Sequence, residues 1–223
     1  MPRIRITEDK LYKFEELSES AKETARSWWR NASSDDNYWS ESVIEDFEET
    51  LKACGFDVDR TRGSHSQPAI YWEGFSHQGQ GASFKASWRA SDVNVTALIA
   101  DRPLVWKDGQ GVEHPSEGNA RLVPILERMA TLAQADSEAY GSTEPYSRSH
   151  SQRSEYDSDT EEEMTAEKAA LALPEEFESL CDALANHLYR SLETEYDYQN
   201  ANEQVDDTIC ANEYEFYEDG KKA

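Results

Sequence analysis

The residues best suited to hold a ligand lie in one run, Tyr71-Trp72-Glu73-Gly74-Phe75-Ser76-His77-Gln78-Gly79-Gln80-Gly81-Ala82-Ser83-Phe84. Two aromatic strands flank a polar loop. Gly79 and Gly81 permit positive φ and close approach of the backbone to a bound group. Gln78 and Ser83 offer polar contacts, and Trp72, Phe75 and Phe84 offer stacking faces for a nucleotide-like ligand. Lys85, Arg89 and Arg102 are the cations available to an anionic group. The competing reading is a hairpin whose turn needs its glycines. A nucleotide-binding fingerprint is not met, because the third glycine is missing and no long strand-turn-helix surrounds the run.

Other chemistries find less. His77 lies in the same loop, where a solvent-facing turn residue competes with a catalytic one. None of His65, His77, His114, His150 and His187 is spaced three or four residues from another His or Cys, so no metal centre is predicted. His187 sits beside Leu184 and Leu188 and is expected to edge the core. Cys54, Cys181 and Cys210 are odd in number and far apart, without zinc or redox spacing, which suits a reducing compartment. Gly-x-Ser-x-Gly is absent, and carboxylates are too abundant to single out an acid–base pair. Tyr189, Tyr196 and Tyr198 are expected to pack. Nothing in these residues demands a reaction or a cofactor, so binding is expected ahead of turnover.

Charge narrows the partner. The formal net charge is -24. Residues 138–223 hold 6 basic and 23 acidic side chains, against 16 and 23 in residues 1–137. Such a surface repels nucleic-acid phosphates and anionic membranes. It suits a basic protein, including one whose groove normally holds DNA or RNA; solubility alone is the competing reading. The acids predicted to meet that partner are Glu175, Glu176, Asp182, Glu193 and Asp197. The opening Met1-Pro2-Arg3 carries no apolar run and no stretch approaches a membrane span, so a cytoplasmic protein is expected.

The elements that must position these residues follow from periodicity. Arg3-Ile4-Arg5-Ile6 alternates as a strand. A helix over about 18–31 has a capping-box pair in Ser20 and Glu23 and an apolar stripe of Ala21, Ala25, Trp28 and Trp29. After a break at 33–37, a second helix runs from Trp39 to Ala53, with Gly55 as its C-terminal cap. Phe56–Asp59, Ala69–Phe75 and Ala82–Ala90 read as antiparallel strands, and Val93–Ile99 as a fourth or a helix. Asp101–Gly118 is turn-rich, and Asn119–Leu132 is helical. Residues 136–173 are polar and acidic and read as a flexible linker that could be deleted. A long helix starts near Pro174 with a stripe of Phe177, Leu180, Cys181, Leu184, Leu188, Leu192 and Tyr196. A short helix over Glu203–Cys210 and a short strand over Glu213–Tyr217 follow. The predicted class is α+β: an antiparallel β-sheet with an N-terminal helical hairpin and a long C-terminal helix. Its parts are a core over 1–135, the linker over 136–173, and 174–223 completing the core.

Three stretches carry a family resemblance. They are Glu16-Leu17-Ser18 followed by Ala21-Lys22, the Tyr71–Phe84 run, and Leu188-Tyr189-Arg190 through Glu195-Tyr196 and Tyr198 to Ala211–Gly220. Over these the chain resembles a family of tailed-phage and prophage proteins, some loosely labelled antitoxin-like. Where that family usually carries an acid, this chain has Gln80. The resemblance implies a phage accessory protein of the host cytoplasm that counters host defence. With the charge, it leads to the expectation of an acidic inhibitor of a host defence or nucleic-acid-processing complex, acting by nucleic-acid mimicry. The alternative is a module that binds or sequesters a nucleotide-like signal at the glycine loop, or an enzyme acting on that signal.

Overall fold

The computed structural model describes residues 9–33, 38–62, 66–75, 77, 80–107, 109–146, 151–158 and 172–223. In chain order the elements are β1 (Tyr12–Lys13), a 3-10 turn (Phe14–Glu16), α1 (Glu19–Ala32), α2 (Tyr38–Ala53), β2 (Cys54–Val58), β3 (Ile70–Trp72), β4 (Ala82–Phe84), β5 (Ala86–Val93), α3 (Thr96–Ala100), β6 (Val105–Lys107), β7 (Glu113–Pro115), α4 (Glu117–Ala135), β8 (Ala139–Tyr146), β9 (Ser151–Ser158), α5 (Leu173–Asn200), α6 (Asn202–Ala211) and β10 (Glu215–Phe216). The class is the expected α+β, with antiparallel strands, helices near the N-terminus and a long C-terminal helix. The chain divides into two units, Met1–Glu41 with Thr194–Ala223, and Ser42–Glu193. No helix among the described residues is long and apolar enough to cross a membrane.

The larger unit is built on a four-stranded antiparallel sheet of order β2-β5-β8-β9. Strand β5 alternates as its sequence predicts, with Ala86, Trp88 and Ala90 buried and Ser87, Arg89 and Ser91 exposed. The Trp88 indole donates to the Cys54 carbonyl at 2.8 Å, which removes the cost of burying its N–H. Helix α4 lies against β5 and β2. From α5, the Phe177 ring meets Trp88 at 4.7 Å, Tyr156 at 5.8 Å and Phe56 at 6.0 Å. Gly141 of β8 makes this approach possible, since a Cβ there would stand 3.1 Å from the Phe177 ring. At the sheet edge, Gly55 adopts φ +84°, which turns the end of α2 directly into β2.

The smaller unit pairs β1 with β10, Tyr12 opposite Phe216. Phe14, Leu17, Ala21, Ala25, Val205, Ile209 and Phe216 form its core. Trp28 packs edge-on to Tyr214 at 5.2 Å and to Phe216 at 5.8 Å. Arg26 of α1 donates two hydrogen bonds to Asp206 of α6, at 2.6 and 2.7 Å.

Several expectations change. The stretch read as a flexible linker supplies half the main sheet: β8 and β9 pair over their full length, from Ala139 opposite Ser158 to Tyr146 opposite Ser151. Apart from Tyr156, its inner face is small and polar, with Ala139, Thr143 and Gln152 buried, so no apolar run betrays it. The acidic stretch at 159–163 lies outside the described residues, as do the strand predicted at 3–6, His65 and His150. Strands β3 and β4 form a separate hairpin instead of joining the main sheet. Strand β5 ends at Val93, and Val95 leads into the short α3. The N-cap of α1 is Ser18, whose hydroxyl accepts from the Ala21 N–H, not Ser20. The α5 stripe is buried through Leu192, whereas Tyr196 is exposed and meets Trp39 edge-on at 5.7 Å.

Candidate functional site

The glycine run folds as the β3–β4 hairpin, with Ile70 opposite Phe84, Tyr71 opposite Ser83 and Trp72 opposite Ala82. Its proposed stacking faces are largely taken by the protein. Phe84 is wholly buried, edge-on to Phe56 at 5.5 Å and to Phe47 at 5.7 Å. Trp72 stacks on Phe75 at 5.8 Å, and Phe75 meets Tyr189 at 5.3 Å. The Tyr189 hydroxyl donates to the Gly74 carbonyl at 2.9 Å and ties the loop to α5. Ser83 is wholly buried, which removes it from a solvent-open loop site. Gln78 and Gly79 lie outside the described residues. Gln80 turns back under the loop: its Oε1 accepts from the His77 N–H at 2.8 Å, and its amide packs on Gly74. Gly81 follows, partly buried, with its carbonyl accepting from the Glu73 N–H at 3.1 Å.

The cations expected to serve this loop face elsewhere. Lys85 stands between Asp59 at 3.7 Å and Glu144 at 3.8 Å on the outer face of the sheet. Arg89 is exposed on that face, across from Tyr140 of β8. Ser87, Ser142 and Arg153 join Lys85 in a shallow groove of about 290 Å³ there. A second groove, of about 580 Å³, runs along the β2 edge between Glu48, Lys52, Asp57, Arg60 and Asp92. In it Arg60 and Glu48 are ion-paired.

The acids predicted for a partner divide into two kinds. Glu176 accepts two hydrogen bonds from Arg128, at 2.8 and 3.0 Å, and this pairing holds its carboxyl below the usual range. Glu193 pairs with Arg190 at 2.7 Å. Both are therefore spent inside the chain. Asp197 falls in the smaller unit and is exposed. Glu175 and Asp182 are exposed on α5, and Glu178, which the sequence reading passed over, is exposed with them. Partial burial raises the Asp182 carboxyl, and the Glu178 charge one turn away raises it further. Neither Glu175 nor Glu178 has an ion-pair partner among the described residues.

A cluster that the sequence did not group lies at α5. His187 is buried, as its place between Leu184 and Leu188 suggested. Burial, then the charges of Arg121 and Arg102, push its imidazole down to about 4. Arg102 follows α3 and donates to Asp46 of α2 at 2.6 Å. Arg121 lies in the second turn of α4. The only hint in the sequence was Arg102 as an anion contact; 19 and 66 residues separate Arg121 and His187 from their predecessors in the cluster. Cys54 and Cys181 are buried thiols pushed up to about 12, which leaves them protonated and unreactive. No group of three or more His, Cys, Asp or Glu among the described residues is placed to hold a metal ion.

No curated protein and no solved structure matches the chain. One family, described as Domain of unknown function (DUF8835), matches residues 39–202. That span covers the main sheet, the glycine hairpin, the α5 acids and the His187 cluster. The chain belongs to the DUF8835 family.

Proposed function

We propose that the protein works by binding, as an acidic accessory protein that docks on a basic protein surface of a host complex. The observation that carries this reading is the exposed side of α5 at Glu175, Glu178 and Asp182. Other acids of the chain are committed to arginines, as in Arg26–Asp206 and Arg128–Glu176. Here it keeps acids one turn apart, an arrangement that costs a helix a few tenths of a kcal/mol. A basic partner relieves that repulsion. The resemblance to phage and prophage proteins directs the search to host defence and nucleic-acid-processing complexes, where basic grooves are common. The host cytoplasm is the setting this implies.

The test is capture from host lysate with the wild-type chain and with a Glu175→Gln, Glu178→Gln, Asp182→Asn variant. The expected result is a basic host complex recovered at low salt, released by high salt and lost with the variant. Equal recovery by both chains at every salt concentration would overturn the reading. Sequestration of a ligand at the glycine loop has less support, since among the described residues Gln80 takes the His77 N–H, Tyr189 takes the Gly74 carbonyl and Trp72 stacks on Phe75.

A further inference from the structure

We propose that the apolar face of the β6–β7 hairpin, centred on Trp106, is the surface on which the chain pairs with a second copy of itself. Strands β6 and β7 form a two-stranded sheet of their own. Val105 stands opposite Pro115, Trp106 opposite His114 and Lys107 opposite Glu113. The Trp106 and His114 rings share one face and stack at 4.6 Å. The Ser116 N–H donates to the Leu104 carbonyl at 2.8 Å, which carries the pairing one step further. Leu104 and Val112 continue the Trp106 face by the two-residue period of a strand. Leu104 is 52% exposed, Trp106 51% and Val112 51%.

A face of this kind calls for a cover. A two-stranded hairpin is marginal in water unless an apolar face of it is packed. Among the described elements, β6 and β7 contact chiefly each other. Large apolar side chains grouped on a surface mark a contact site, and tryptophan is prominent among the residues that carry binding energy.

Charge selects the occupant. Each copy has a net charge of -24, so two copies repel over most of their surfaces. A two-fold contact sets one patch against the same patch, so it must lie where like charge is absent. Among the described residues, the Trp106 face carries no carboxylate, lysine or arginine. Lys107 and Glu113 belong to the opposite face and pair with each other at 3.0 Å. A basic protein would find no acid on the Trp106 face to attract it, whereas a second copy finds a neutral apolar surface like its own. Three half-exposed side chains fall short of the roughly 800 Å² that each partner of a stable complex buries, so the dimer is a weak one with polar surroundings as its rim. This contact is independent of the acidic side of α5, and its test needs no host protein.

The experiment is sedimentation of the full-length protein from micromolar to hundreds of micromolar, at low and high salt. The expected result is a monomer–dimer equilibrium that tightens as salt rises, because salt screens the repulsion between the copies. Docking of the α5 acids on a basic partner would loosen under the same change. Trp106→Ser and Leu104→Ser should each weaken the dimer by about tenfold or more. Val105→Ser is the control: Val105 is 47% exposed on the same strand but faces the other way, so its loss should leave the dimer intact. Thermal melting of each variant checks that the fold is kept. A wild type that stays monomeric throughout would overturn the proposal, as would one that stays monomeric yet binds zwitterionic lipid vesicles through Trp106. So would a dimer that weakens with salt, one indifferent to folded Trp106→Ser, or one that Val105→Ser disrupts equally.

Discussion

Phe84 and Trp72 belong to one hairpin but face different surroundings. Phe84 is wholly buried between Phe47 and Phe56, whereas Trp72 is half-buried and stacks on Phe75. Truncation of Phe84 to alanine should cost about 3–5 kcal/mol, the range for a large core ring. Truncation of Trp72 should cost distinctly less, because part of its area stays in water. Urea unfolding of the two variants compares them; equal losses would contradict the burial difference. His187 makes a pH prediction of definite sign. Its folded-state pKa of about 4 lies below its ordinary 6.5. The unfolded chain therefore takes up the proton first, so the contribution is fully present above pH 6.5 and is lost as pH falls toward 4. Stability of the wild type minus that of His187→Gln should fall over this window, which cancels the shared carboxylates. A flat difference would mean that the imidazole titrates normally.

At the scale of elements, the helices were legible and half the sheet was not. Helices α2, α4 and α5 fall within a few residues of their predicted bounds, because each carries an apolar stripe at three- and four-residue spacing. Strand β5 was legible because Trp88 and the alanines alternate with polar residues. The β8–β9 hairpin was hidden, because Phe177 supplies the bulk above Gly141 and, Tyr156 apart, the strands turn small or polar residues inward. The candidate site failed for a related reason. A sequence run displays the glycine loop, while the charges of Arg102 and Arg121 come to act on His187 only through the packing of separate elements. Two outcomes follow from the sheet. Gly141→Ala should destabilise the protein by about 1–3 kcal/mol, since its Cβ would press on the Phe177 ring and on the Glu155 carbonyl. Denaturant midpoints read this directly. Deletion of residues 139–158 should abolish the cooperative unfolding transition, because it removes two of the four strands on which Phe177 packs. A truncated chain that still melts sharply near the wild-type temperature would restore the reading of this stretch as a linker.

For the whole molecule, charge acts on folding and on binding with opposite dependence on salt. A net charge of -24 repels itself, and compaction raises that cost. Added salt screens it over a Debye length of about 8 Å at physiological ionic strength. The isolated protein should therefore gain thermal stability as salt rises from a low value. Partner capture should move the other way, since attraction between an acidic face and a basic surface acts mainly on the association rate. Neutralising Glu175, Glu178 and Asp182 separates the two effects. Their side chains are exposed, and relief of the Glu178–Asp182 repulsion is worth only about 0.2–0.5 kcal/mol, so the melting temperature should rise slightly or hold. Glu176 is a poor choice for this experiment, because its loss would strand Arg128. With the host partner in hand, the variant should associate much more slowly than the wild type at low salt and at nearly the same rate at high salt. One salt series, read by both melting temperature and association rate, tests both halves. Rates that coincide at every ionic strength, with stability still rising in salt, would reduce the acidic face to a solvated surface.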